Sequence, residues 1–122
     1  MRPEEGDAAR LWDMLQHARA IQALLAGASL DTYLADVGRR LQVERRLEII
    51  GEAARQVSQS YKKSHPEVPW AGIIGLRNVL AHEYAEIDDE RVWNIVTTGI
   101  PALVTALAPL VPPVPPDPEP EP

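Results

Sequence analysis

Apolar residues recur along most of the chain at intervals of three and four, the spacing that puts them on one side of an α-helix. Leu11, Met14, Leu15, Ala18, Ile21, Leu24 and Leu25 form the first such stripe. Asp7 stands ahead of it as a candidate cap and Gly27 behind it as a stop, so a first helix is predicted to run to about Ala26. Leu30, Tyr33, Leu34 and Val37 give a second segment an apolar side, with Ser29 or Asp31 as its cap. Gly38 either breaks the helix there or is tolerated, at a cost of about 1 kcal/mol against alanine. A long helix is then predicted from about Arg39 to Lys63, with Leu41, Leu47, Ile50, Ala54 and Val57 on one face and Val43 and Ile49 beside it. Pro66 and Pro69 end that helix and start the next, which begins at Trp70 and ends after Tyr84. A last helix, capped by Asp88 or Asp89, carries Val92, Trp93, Ile95, Val96, Ile100, Leu103, Val104 and Leu107; Pro101 inside it is predicted to kink or split it.

Alternating apolar runs and hairpin dipeptides are absent, so no strand competes with this reading. The expected fold is all-α, a bundle of four to five helices in one domain over residues 1–108. From Pro109 onward there are eight prolines in fourteen residues. This stretch, 109–122, is expected to be a disordered, flexible tail with an extended polyproline tendency, outside the fold. It reads either as a solubilising tail or as a ligand for a small recognition domain.

Composition narrows the function classes. There is no cysteine, so neither a disulfide framework nor thiolate chemistry is available. The first residues lack an apolar run of the signal-peptide kind, and no apolar run approaches a membrane span. A cytoplasmic protein without membrane contact is expected. The net charge is −6, falling to −3 over residues 1–116 once the three acids of the tail are set aside. That balance disfavours a broad basic footprint for nucleic acid but permits a small local site. The arginines and glutamates of the long helix, Arg39, Arg40, Glu44, Arg45, Arg46 and Glu48, alternate in sign and read as a solvated face with i,i+3 and i,i+4 pairs. No zinc-ligand pattern, Gly-rich phosphate loop or internal repeat is present, and no metal or cofactor is expected.

The densest candidate chemistry lies in Ile74-Gly-Leu-Arg77-Asn78-Val-Leu-Ala-His82-Glu-Tyr84. At roughly 100° per residue, Tyr84 falls near Arg77, with Asn78 and His82 about 100° and 140° further round. Ile73, Leu76, Val79 and Leu80 occupy the opposite arc, which points at a core. The polar arc can serve a phosphodiester: Arg77 as a fixed cation, His82 as general acid or base, Asn78 as a hydrogen-bond donor to a phosphoryl oxygen. His17, one turn after Asp13, reads as a surface residue in an ion pair, and His65 as a loop residue. Gly51-Glu52-Ala53-Ala54 is a small-residue patch that lets another helix approach closely. Glu52 is then either a surface glutamate or a partner that orients a histidine or arginine.

Ile50-Gly-Glu-Ala-Ala54, Val68-Pro-Trp70, Ile74 to Tyr84, Ile87-Asp88 and Val92-Trp93, in that order, resemble the HepT-like branch of the HEPN domain superfamily. The resemblance covers most of residues 7–108, and its signature is the Arg77–His82–Tyr84 element; the tail lies outside it. It implies a homodimer in which the signature elements of both protomers face a shared cleft. It implies a metal-independent endoribonuclease toxin acting on RNA, encoded beside a nucleotidyltransferase antitoxin that inactivates it by moving AMP from ATP onto Tyr84. The alternative that the same resemblance allows is a non-catalytic nucleotide- or partner-binding module that works with a nucleotidyltransferase.

Overall fold

The computed structural model describes residues 5–80 and 88–112. Among these the regular structure is all helical: α1 (Glu5–Leu25), α2 (Leu30–Ala35), α3 (Val37–Gln56), α4 (Gln59–Ser64), α5 (Trp70–Leu80), α6 (Asp89–Asn94) and α7 (Ile100–Leu107). The expected all-α bundle is therefore observed. α3 packs against α1 on one side and α5 on the other, and α7 packs on α1. Leu11, Met14 and Ile21 of α1, Val43, Leu47 and Ile50 of α3, Ile73 and Leu76 of α5, and Ile100, Leu103 and Leu107 of α7 share one core. No helix is long and apolar enough to cross a membrane among the described residues.

The helix ends follow local chemistry, and several depart from the expected boundaries. Asp7 does not cap α1, which has already begun at Glu5. It is buried, and its carboxylate accepts from the Ser58 N–H (2.9 Å) and the Ser58 hydroxyl (2.6 Å). Ser58 in turn caps α4, its hydroxyl accepting from the Tyr61 N–H. The long helix expected over 39–63 is thus two helices with a corner at Val57–Ser58. Val57 turns to extended backbone and buries its side chain. Lys62 folds back across the corner and donates to the Arg55 carbonyl at 3.2 Å, satisfying one open acceptor at the end of α3. Asp7→Ala strips the Ser58 donors of their acceptor inside the fold, and is expected to lower unfolding free energy by about 1–3 kcal/mol in urea; an unchanged midpoint would mean that this corner does not depend on Asp7.

Gly27 ends α1 in the left-handed region (φ 75°), where a side chain would be strained. Ser29, not Asp31, caps α2, in a reciprocal pair with Thr32. The break between α2 and α3 falls at Asp36, whose carboxylate accepts from the Arg39 N–H; Gly38 sits inside the first turn of α3. Asp88 caps α6, accepting from the Arg91 N–H, while Asp89 pairs with Arg40 at 3.7 Å. Leu41, expected on the apolar face, is 60% exposed, and Val43, expected beside that face, is fully buried. Leu41 lies about 120° from Leu47 on a helix, off the buried stripe.

Pro101 does not split the last helix. A π-helical segment, Ile95–Gly99, joins α6 to α7 without a break. Proline has no N–H for the carbonyl four residues back, and its ring crowds that carbonyl; a wider turn shifts the register past the conflict. Thr97 and Thr98 donate their hydroxyls to the Trp93 and Asn94 carbonyls at 2.8 and 2.7 Å, within the same stretch. Beyond Pro109, Leu110 is half-buried and Val111 is buried against the core, so the packed chain reaches Val111.

Candidate active site

α5 owes its position to α3. At Gly51 the two backbones approach so closely that a Cβ there would lie 3.2 Å from the Ile73 carbonyl oxygen. Ala53 and Ala54 beside it are buried, so the small-residue patch serves the contact between helices that its sequence suggests. Trp70 anchors the start of α5: its indole N–H donates to the His65 carbonyl at 2.9 Å, and its ring meets Tyr61 edge-on. Ile73, Leu76 and Leu80 face the core, while Arg77 and Asn78 are exposed on the opposite arc. The two arcs read from the sequence are both present as far as Leu80.

Arg77 lines a cleft of about 630 Å³ between α1 and α5, over α3. Arg10 and Asp13 come from α1; Arg45, Glu48, Ile49, Glu52, Ala53, Arg55 and Gln56 from α3; Arg77 and Leu80 from α5. Asn78 does not line this cleft. Glu52 shares it with Arg77, but its hydrogen bonds go elsewhere: it accepts from Arg55 at 3.1 and 2.7 Å and from the Gln56 amide at 2.9 Å. The Arg55 hydrogen bonds above all, then Gln56, hold the Glu52 carboxyl down to about 2, with the nearby charge of Arg77 adding to the effect. Because the folded value is depressed, this pairing is complete above the ordinary carboxylate range and is lost only as pH falls through about 2. An NMR titration of the Glu52 carboxyl carbon is expected to show a midpoint well below that of a free glutamate; a midpoint in the ordinary range would contradict the pairing.

The remaining histidines of the described residues are occupied. His17 is half-buried rather than at the surface, and its partner is a cation: Arg46 lies 2.9 Å from Nδ1. With the arginine donating, Nδ1 is an acceptor and the ring is neutral; burial, then Arg46, pulls its pKa down, against a smaller pull from Asp13. His65 sits in the loop after α4, stacked on Tyr61 and 3.0 Å from Glu67. His82 and Tyr84 lie outside the described residues.

Arg10, Arg45 and Arg55 are additions that the sequence reading did not attach to Arg77. Arg45, Glu48 and Glu52 follow each other at three- and four-residue steps, and Arg55 and Gln56 stand three and four residues beyond Glu52, a signal for one shared helix face. The Arg45–Glu48 pair (3.3 Å) and the Arg55–Glu52 pair (2.7 Å) are the i,i+3 contacts of a solvated face.

The family model described as "Ribonuclease HepT-like" matches residues 14–110. The chain belongs to the HepT-like ribonuclease family. Among its relatives, a Methanocaldococcus jannaschii protein named "Putative RNase" is 35% identical over 93 residues, which cover 76% of this chain and 85% of the relative. A second protein of that name from the same organism is 33% identical over 99 residues, 81% of this chain and 82% of its own. A protein of Thermococcus cleftensis named "Probable ribonuclease HepT" is 32% identical over 93 residues, 76% of this chain and 84% of its own. No solved structure matches this HepT-like chain. The matched residues include α3, α5 and the segment with His82 and Tyr84, whereas Arg10 precedes them.

Proposed function

We propose that this chain is a metal-independent endoribonuclease, the toxin of a toxin–antitoxin pair, working in the cytoplasm. The observation that carries the reading is the HepT-like match over residues 14–110, within which Arg77 stands exposed beside an open cleft. Cleavage without a metal uses the RNA's own 2′-hydroxyl. A base takes its proton, the 2′-oxygen bonds to phosphorus, the bond to the 5′-oxygen breaks, and an acid protonates that oxygen. The products are a 2′,3′-cyclic phosphate and a 5′-hydroxyl. In this assignment His82 is the proton-transfer group, Arg77 neutralises the charge that builds on the phosphorane, and Asn78 donates to a phosphoryl oxygen. Glu52 supports the cleft by holding Arg55.

One signature histidine per chain supplies one of the two proton-transfer roles. A two-fold dimer with both signature elements on one cleft supplies both, and two arginines with them. Val37 and Leu41, exposed one turn apart on α3, offer apolar surface for such an interface. Tyr84 falls on Arg77's side of an ideal helix, so AMP placed on it by a nucleotidyltransferase antitoxin adds bulk and negative charge where the substrate phosphate binds. Expression of the wild-type chain is expected to stop growth, and expression of His82→Ala is not. Co-expression of the nucleotidyltransferase is expected to restore growth and add whole AMP units to the wild-type mass but not to Tyr84→Phe. Equal toxicity of His82→Ala would overturn the assignment. A monomer by sedimentation at micromolar concentration would remove the shared cleft.

A further inference from the structure

We infer that the cleft beside Arg77 holds a nucleotide flanking the scissile phosphate, and that Arg10 binds that nucleotide's phosphate; the inference rests on the ribonuclease reading above. Four of the chain's ten arginines line this one cleft, in a protein of net charge −6. Arg45 and Arg55 are committed to Glu48 and Glu52 on their own helix. Arg10 and Arg77 have no ion pair or side-chain hydrogen bond among the described residues, and both are exposed. They stand on opposite walls, one from α1 and one from α5. Ile49, Ala53 and Leu80 line the same cleft with apolar side chains.

Cations at the rim over an apolar floor suit a nucleotide, whose phosphates are charged and whose base has an apolar face. A volume of about 630 Å³ lies within the range of roughly 300–1,000 Å³ usual for small-ligand sites. Asp13, the cleft's carboxylate with no arginine partner among the described residues, accepts hydrogen bonds and donates none when ionised. It therefore suits the N–H edge of a base and opposes a second phosphate beside Arg10. Arginine's planar fork matches phosphate in two-point contact, and its charge persists at every working pH. With Arg77 at the scissile phosphate, Arg10 fixes the strand on the far wall. It is a positioning residue for the cut.

The test is fluorescence anisotropy with a labelled single-stranded RNA methylated at every 2′-oxygen, which cannot be cleaved by this route, across a salt series. Arg10→Gln is compared with Arg10→Lys and with Arg19→Gln, an exposed arginine of α1 that does not line the cleft and makes the same change in charge. Arg10→Gln is expected to weaken binding about three- to fivefold and to lower the slope of log affinity against log salt by about 0.7. Arg10→Lys is expected to keep the slope, and Arg19→Gln to match wild type. Identical behaviour of Arg10→Gln and Arg19→Gln would overturn the inference, even if wild type cleaves unmodified RNA. Arg10-dependent binding without cleavage by wild type would instead overturn the ribonuclease reading and leave the cleft as an RNA site. Absence of RNA binding would overturn both.

Discussion

Arg77→Ala is expected to slow RNA cleavage by about 10²–10³-fold, the usual effect of removing one group that stabilises transition-state charge. Stability should change by no more than about 0.5 kcal/mol, because Arg77 is exposed and makes no side-chain hydrogen bond among the described residues. The apolar side of α5, which holds the helix in place, is untouched by the change. Arg77→Lys should recover only part of the rate, since a lysine keeps the charge but not the two-point geometry. Single-turnover cleavage and urea unfolding of the same preparations check both halves. Cleavage at the wild-type rate would remove Arg77 from the chemistry. A loss of rate that tracks a loss of fold would make its role structural.

Gly51→Leu is the larger expected effect on the fold. The first side-chain atom already meets the Ile73 carbonyl at 3.2 Å, and that carbonyl belongs to the backbone of α5, which cannot rotate away as a side chain does. Forcing the two helices apart is expected to cost about 1–3 kcal/mol. Gly51→Ala should cost less, because alanine's gain in helix propensity, about 1 kcal/mol, offsets part of the contact. Since α5 carries Arg77, cleavage is expected to fall with Gly51→Leu even where the protein remains folded. A Gly51→Leu protein as stable and as active as wild type would mean that α3 and α5 do not meet at this glycine.

These two predictions draw on different amounts of what the sequence makes visible. The arcs of α5 follow from helical periodicity alone, and Ile73, Leu76 and Leu80 are buried as that periodicity requires. So are Leu11, Met14, Leu15, Ala18 and Ile21 of α1. The corner at Val57–Ser58 carries no Gly or Pro to mark it, and Ser58, though a residue type that favours a cap, shows its role only in the fold. It is fixed by Asp7, fifty-one positions away in sequence. The surface ion pair expected of His17 fails for a related reason. Asp13 is its visible neighbour one turn back, while Arg46 reaches it only once α3 packs on α1. Pro101 announced a disturbance, but whether a kink or a wide turn absorbs it depends on the packing of the whole last helix. The cleft shows the same limit. Arg77 and Glu52 were singled out from their motifs, but Arg10 joins them only through three-helix packing.

The central claim, RNA cleavage through the Arg77–His82 signature without a metal, is tested most directly by incubating purified wild-type and His82→Ala protein with single-stranded RNA in excess chelator and analysing the new ends. The account predicts cleavage by wild type alone, leaving 2′,3′-cyclic phosphate and 5′-hydroxyl ends, with a loss of about 10²–10⁴-fold in His82→Ala. Equal cleavage by both proteins, or cleavage by wild type only after a divalent cation is restored, would contradict it.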